Sequence, residues 1–128
     1  MFDGRGHKIK GLTVNGASKY YAGLFGMADT VSVFKNVILE NPTVSADYYN
    51  AGSIVAWTLG SVENITVYNP EVSTLRVVAA GVAGIVSGSI SNCHVEGGII
   101  EGGGYVGGVA GEVHGGMRNC SATGTQVF

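Results

Sequence analysis

Apolar residues in this chain fall in short runs broken by glycine and polar residues, and one six-residue pattern recurs: apolar, any, Asn, apolar, any, apolar. It occupies positions 34–39, 62–67, 90–95 and 117–122, so that Asn36, Asn64, Asn92 and Asn119 follow one another at intervals of 28, 28 and 27. An earlier copy at 9–14 carries Gly11 where the others carry asparagine. In a plain strand, side chains two apart share a face. Apolar residues at −2, +1 and +3 around the asparagine therefore cannot all point inward unless the chain bends there. Asparagine and glycine are the residues that most readily take a positive φ. The pattern thus predicts a corner at each asparagine, with Ile9, Phe34, Val62, Ile90 and Met117 inward before it and Leu12, Val37, Ile65, Cys93 and Cys120 inward after it.

Ahead of each asparagine lies a second column, an apolar pair flanked by small residues. Its copies are residues 22–26, 52–56, 80–84 and 107–111, and their composition suits strands closely approached by another layer. A third column, eight positions after each asparagine, is Val44, Val72, Ile100 and Val127, and the dipeptide Asn41-Pro42 returns as Asn69-Pro70. Register-locked columns of this kind predict an all-β fold, a right-handed parallel β-helix (solenoid) of about four coils of 27–30 residues. The coils are placed at 1–21 (partial), 22–50, 51–79, 80–105 and 106–128 of a single module. An antiparallel sandwich, the rival fold, gives no reason for asparagines locked at this spacing.

Composition fits that reading and narrows function. The 22 glycines among 128 residues disfavour long amphipathic helices, and only 12% of residues are charged. With a net charge of −2 and scattered basic residues, neither nucleic acid nor membrane insertion is an expected partnership. Neither end carries a polar cap for an open coil, so the chain is expected to continue in a longer protein or to associate end to end.

At this point the residues resemble the GLUG-motif repeats of bacterial surface proteins. The likeness is carried by Gly23-Leu24-Phe25-Gly26, Gly107-Gly108-Val109-Ala110-Gly111, Asn92-Cys93, the run from Asn119 to Gly124 and the opening Phe2 to Leu12. It implies a β-solenoid in large secreted or wall-attached proteins, including adhesin-like proteins and immunoglobulin-cleaving metallopeptidases in which the repeats are accessory. From it follows an extracellular or cell-surface location and a partner that is a host glycan or protein. The second coil departs from the pattern, with Ser53 and Ala56 in place of glycines and Trp57 next. That departure points to a locally wider coil or a binding spot.

The asparagine column is expected to form an internal amide ladder, which would bury the glycosylation-type sequences at Asn64 and Asn119. Cys93 and Cys120 share a column, at a spacing a disulfide tolerates but with side chains pointing the same way, which favours two reduced thiols. No catalytic residues, metal ligands or cofactor are expected, because His7, His94 and His114 do not share a column and no carboxylates converge. The aromatic residues are the remaining candidates. Tyr20-Tyr21 and Tyr48-Tyr49 form two pairs one repeat apart, expected one above the other, and with Trp57 they either seal a core edge or make a binding patch.

Overall fold

The computed structural model describes residues 1–16, 20–28 and 32–128, and among these there are strands and turns but no helix. Four parallel sheets run along the molecule, and successive coils add their strands to each in turn. The first sheet stacks Phe2–Lys10, Val33–Glu40 and Ser61–Tyr68, then the split pairs Ile90–Ser91 with His94–Glu96 and Met117–Arg118 with Ser121–Thr123. The second holds Thr13–Gly16, Thr43–Ala46, Glu71–Thr74, Ile99–Glu101 and Gln126–Val127. The third holds Tyr21–Ala22, Asn50–Gly52, Val78–Ala80 and Tyr105–Gly107, and the fourth Phe25–Ala28, Val55–Thr58, Ala83–Val86 and Ala110–Val113. This is a parallel β-solenoid of about four turns.

The corners lie at the asparagines. Asn36, Asn64, Asn92 and Asn119 have φ of 60°, 53°, 52° and 53°, the left-handed region that asparagine tolerates better than other side chains. A second corner, between the first and second sheets, is built the same way. There Gly11, Asn41, Asn69, Gly97 and Gly124 take φ of 66°, 56°, 51°, 71° and 65°. The first coil is therefore read differently from the sequence expectation. Ile9 pairs with Leu39 and Lys10 with Glu40, so Gly11 belongs to the second corner and stacks beside Asn41, not Asn36. The first coil's counterpart of Asn36 is Gly4-Arg5-Gly6, where the register shifts between Asp3 and His7 and both Arg5 and Gly6 have positive φ. A single corner position has become a tripeptide, and the spacing of the recurring patterns could not reveal it.

Two apolar clusters fill the coils. One joins the first and fourth sheets through Phe34, Val37, Leu39, Ile65, Ile90 and Val95 with Ile54, Val82 and Val86; the other joins the second and third through Val44, Val72, Ile100, Ala51 and Ala79. Each large aliphatic side chain taken out of water here contributes about 1.5–3 kcal/mol. The third and fourth sheets approach each other tightly, which explains the small residues of the second sequence column. A Cβ on Gly84 would lie 3.5 Å from the Asn50 Cβ and within clashing distance of the Ala56 carbonyl. At the N-terminal end Phe2 packs edge-on against Phe25 at 4.9 Å, and Phe25 against Phe34 at 5.0 Å. At the other end Met117, Val127 and Phe128 are exposed, so the inward columns are open there.

Candidate binding surface

The side of the molecule formed by the third and fourth sheets collects the tyrosine pairs and Trp57, and the register decides how. Tyr21 pairs with Asn50 and Ala22 with Ala51, so each partner lies one position beyond the residue that the repeat of the tyrosine pairs would select. The pairs are thus offset by one position instead of lying squarely one above the other. Tyr20 stacks on Tyr49 with ring centres 5.1 Å apart and planes 25° from parallel, and it also meets Tyr48 at 5.3 Å. Tyr21 meets Tyr49 at 6.0 Å and Trp57 at 6.1 Å. Trp57 reaches this cluster because it sits beside Met27 and Ile85 on the neighbouring strands of the fourth sheet.

Backbone bonds hold the turns that carry these rings. The Asn50 amide donates to the Tyr20 carbonyl at 2.9 Å and the Val78 amide to the Tyr49 carbonyl at 3.0 Å, while the Thr74 hydroxyl donates to that same Tyr49 carbonyl at 3.1 Å. Tyr20 and Tyr49 nevertheless remain 55% and 46% exposed, so they are a surface and not a seal over the core. The Arg76 guanidinium lies 5.8 Å from the Tyr48 ring centre, within the range of a cation–π contact.

Beside the rings runs a shallow groove of about 420 Å³ lined by Tyr21, Tyr49, Asn50, Trp57, Val77 and Ile85. Asn50 is only 4% exposed, and its Oδ1 has no hydrogen-bond partner. Among the described residues the one other buried side-chain polar atom without a partner is the Ser53 Oγ, three residues further along the chain. Ser53, Ala56 and Trp57 are the places where the second coil departs from the repeat, and of these Trp57 lines the groove; no such irregularity marks Asn50 or Arg76. Asn50 becomes visible only in register, where it stands in a column with Tyr21, Val78 and Tyr105.

Asparagine side chains do bond from coil to coil, but in two segments, Asp3–Asn36–Asn64 and Asn92–Asn119, and along the outside of the corner. The Asn36 Nδ2 donates to the Asp3 Oδ1 at 3.0 Å, the Asn64 Nδ2 to the Asn36 Oδ1 at 2.7 Å, and the Asn119 Nδ2 to the Asn92 Oδ1. Asn64, Asn92 and Asn119 are exposed, because a left-handed corner turns its own side chain outward while the flanking residues point in. The expectation of an internal ladder is thereby corrected. What occupies the Nδ2 of Asn64 and Asn119 is the ladder bond, not burial. Asp3 closes the ladder at its N-terminal end with a carboxylate that accepts from the Arg5 amide as well, and these two donors hold it below the ordinary carboxylate range.

Cys93 and Cys120 occupy one column, flanked by the pairs Ser91 with Arg118 and His94 with Ser121, and both are free thiols. Burial pushes the Cys93 thiol up to about 12, the desolvated thiolate being the costly form. His94 Nδ1 lies 2.7 Å from the Ser121 Oγ on the exposed face of the first sheet, and His114 Nε2 lies 3.0 Å from the Glu112 Oε1. Among the described residues no carboxylate bonds His94, so the serine–histidine pair lacks the orienting third member of a nucleophilic site.

A parallel β-solenoid with one short repeat per coil and an aromatic face is therefore the class of protein that fold and surface define. The family model described as the GLUG motif matches residues 102–127, which carry the last coil's third-, fourth-, first- and second-sheet strands in turn. No curated protein and no solved structure matches the chain.

Proposed function

We propose that this chain is a non-catalytic structural and adhesion module of a cell-surface or secreted bacterial protein, a rigid spacer that presents an aromatic binding surface to a host glycan or protein. The observation that carries the reading is the cluster of exposed Tyr20, Tyr48 and Tyr49 with half-buried Tyr21 and Trp57 on one side of a framework bonded coil to coil on four sheets. Ordering five aromatic rings at a surface forgoes the burial that their apolar area would otherwise provide, and such rings, with an arginine beside them, are the residues that dominate recognition surfaces. The framework supports the same reading. Fixed strands hold the rings in place before a ligand arrives, which lowers the ordering cost of binding.

The test compares retention of the wild-type chain and a Tyr20→Ala/Tyr49→Ala variant on immobilised host glycans and host matrix proteins. Retention of the wild type and its loss in the variant, with the thermal midpoint nearly unchanged, is the expected result. Equal retention of the two proteins would remove the aromatic surface from the function.

A further inference from the structure

The groove beside the rings has a chemistry more specific than an aromatic patch, and the geometry points to a saccharide bearing an acetamido group, an N-acetylhexosamine unit, as its occupant. This assignment rests on the adhesion reading and names the ligand class for the same surface. Along the groove, Tyr21, Tyr49 and Trp57 offer ring faces and edges, Val77 and Ile85 offer aliphatic surface, and Asn50 offers a carbonyl oxygen with no partner. A buried acceptor left unpaired is unfavourable, so it is a feature that a ligand donor can satisfy with a gain. The oxygen is buried as placed, so the assignment requires a turn about the amide's broad terminal torsion to bring it to the groove.

The acceptor's surroundings select among donors. The matching unmodified hexose would differ at one position, setting a hydroxyl where the acetamido group lies and bringing no methyl for Val77 and Ile85 to pack on. An acetamido group brings a single N–H donor for the Asn50 oxygen and a methyl group for the aliphatic walls, while the sugar's C–H face packs on an aromatic ring. The volume, about 420 Å³, falls within the range of small-ligand clefts. The repeat itself shows that these groups are not needed for the fold. The next coil places Val78 where the second places Asn50, and Ile85 where it places Trp57.

Those equivalences supply the variants: Asn50→Val and Trp57→Ile each copy the neighbouring coil's own residue. Titration calorimetry with the β-1,4-linked tetrasaccharide of N-acetylglucosamine and with the matching glucose tetrasaccharide reads the preference, and emission from Trp57, the chain's one tryptophan, locates the binding. The wild type is expected to favour the N-acetylated sugar by about tenfold, the worth of one well-made hydrogen bond. Asn50→Val should lose that preference, and Trp57→Ile should weaken binding of both sugars. Equal affinity for the two sugars, a preference retained in Asn50→Val, or no binding of the N-acetylated tetrasaccharide at millimolar concentration would overturn the assignment. If the wild type ignores both sugars yet is held by a host protein through Tyr20 and Tyr49, this assignment falls and the adhesion reading stands. Should Asn50→Val fail to fold, the wild type's preference between the two sugars and the Trp57→Ile titration still decide.

Discussion

Replacing Asn64 separates the two jobs of a corner asparagine. Its φ of 53° places the backbone in the left-handed region, and its Nδ2 donates to the Asn36 Oδ1 at 2.7 Å from an exposed side chain, so no core packing confounds the result. Asn64→Ala loses both contributions: about 1 kcal/mol or more for an ordinary L-residue held left-handed, and about 0.5–1.5 kcal/mol for the ladder bond. Asn64→Gly loses the same bond but adopts the corner without steric cost. In an ordinary strand position glycine is less stable than alanine by about 0.5–1 kcal/mol. Here the order should reverse, with glycine ahead of alanine by roughly 1 kcal/mol, or about 3–5 °C in thermal midpoint for a chain of this size. Urea denaturation followed by circular dichroism, with the three proteins side by side, measures the difference. If alanine proves equal to or more stable than glycine, a positive φ is not what the asparagine column provides.

Other expectations follow from the same geometry. Gly84→Ala would push a Cβ into the Ala56 carbonyl of the neighbouring coil and should cost about 1–3 kcal/mol, read as a lowered urea midpoint. Iodoacetamide at pH 8 should alkylate half-buried Cys120 well before Cys93, whose thiol burial holds near 12; equal rates by mass spectrometry would contradict that burial. Because the unfolded Cys93 thiol ionises near its ordinary value of 9 and the folded one only near 12, the unfolded state binds fewer protons between them. Stability should therefore fall as pH rises through that window, and less so in Cys93→Ala. Head-to-tail stacking of two copies would set the Asp3 carboxylate, which has no donor to offer, against the Asn119 Oδ1. Light scattering over a concentration series at neutral pH should accordingly show no linear growth, and steady growth would refute that use of Asp3.

The strongest signals in the sequence were those in which one residue type serves one geometric need in every coil. Asn36, Asn64, Asn92 and Asn119 are left-handed corners, and their nearly constant spacing is enough to find them. The second corner was harder to read because its geometry is met by either asparagine or glycine, and Asn41, Asn69, Gly97 and Gly124 share no residue name. The first coil misled because Gly11, spaced like a corner asparagine from its flanking apolar residues, serves the other corner, and Gly4-Arg5-Gly6 replaces a single residue. In the binding surface, the aromatic residues were visible as a group but their mutual positions were not. One extra residue between coils shifts Tyr20 onto Tyr49, and only pairing register reveals such a shift. Asn50 was out of reach for a different reason: an unpaired carbonyl is a property of surroundings, and those come from three coils.

Every placement above depends on one coil stacking on the next in parallel register, and distance measurements between spin labels test this most directly. In a Cys93→Ala/Cys120→Ala background, labels are placed on the outward column of the second sheet, at Thr13 with Glu71, Thr13 with Ile99 and Thr13 with Gln126. These pairs span two, three and four strand spacings, so the backbone separations should rise evenly, by about 4.8 Å per coil, from roughly 10 to roughly 19 Å. Separations that do not rise in equal steps, as in a sandwich whose strands alternate between two sheets, would contradict the solenoid and with it the aromatic surface built on its register.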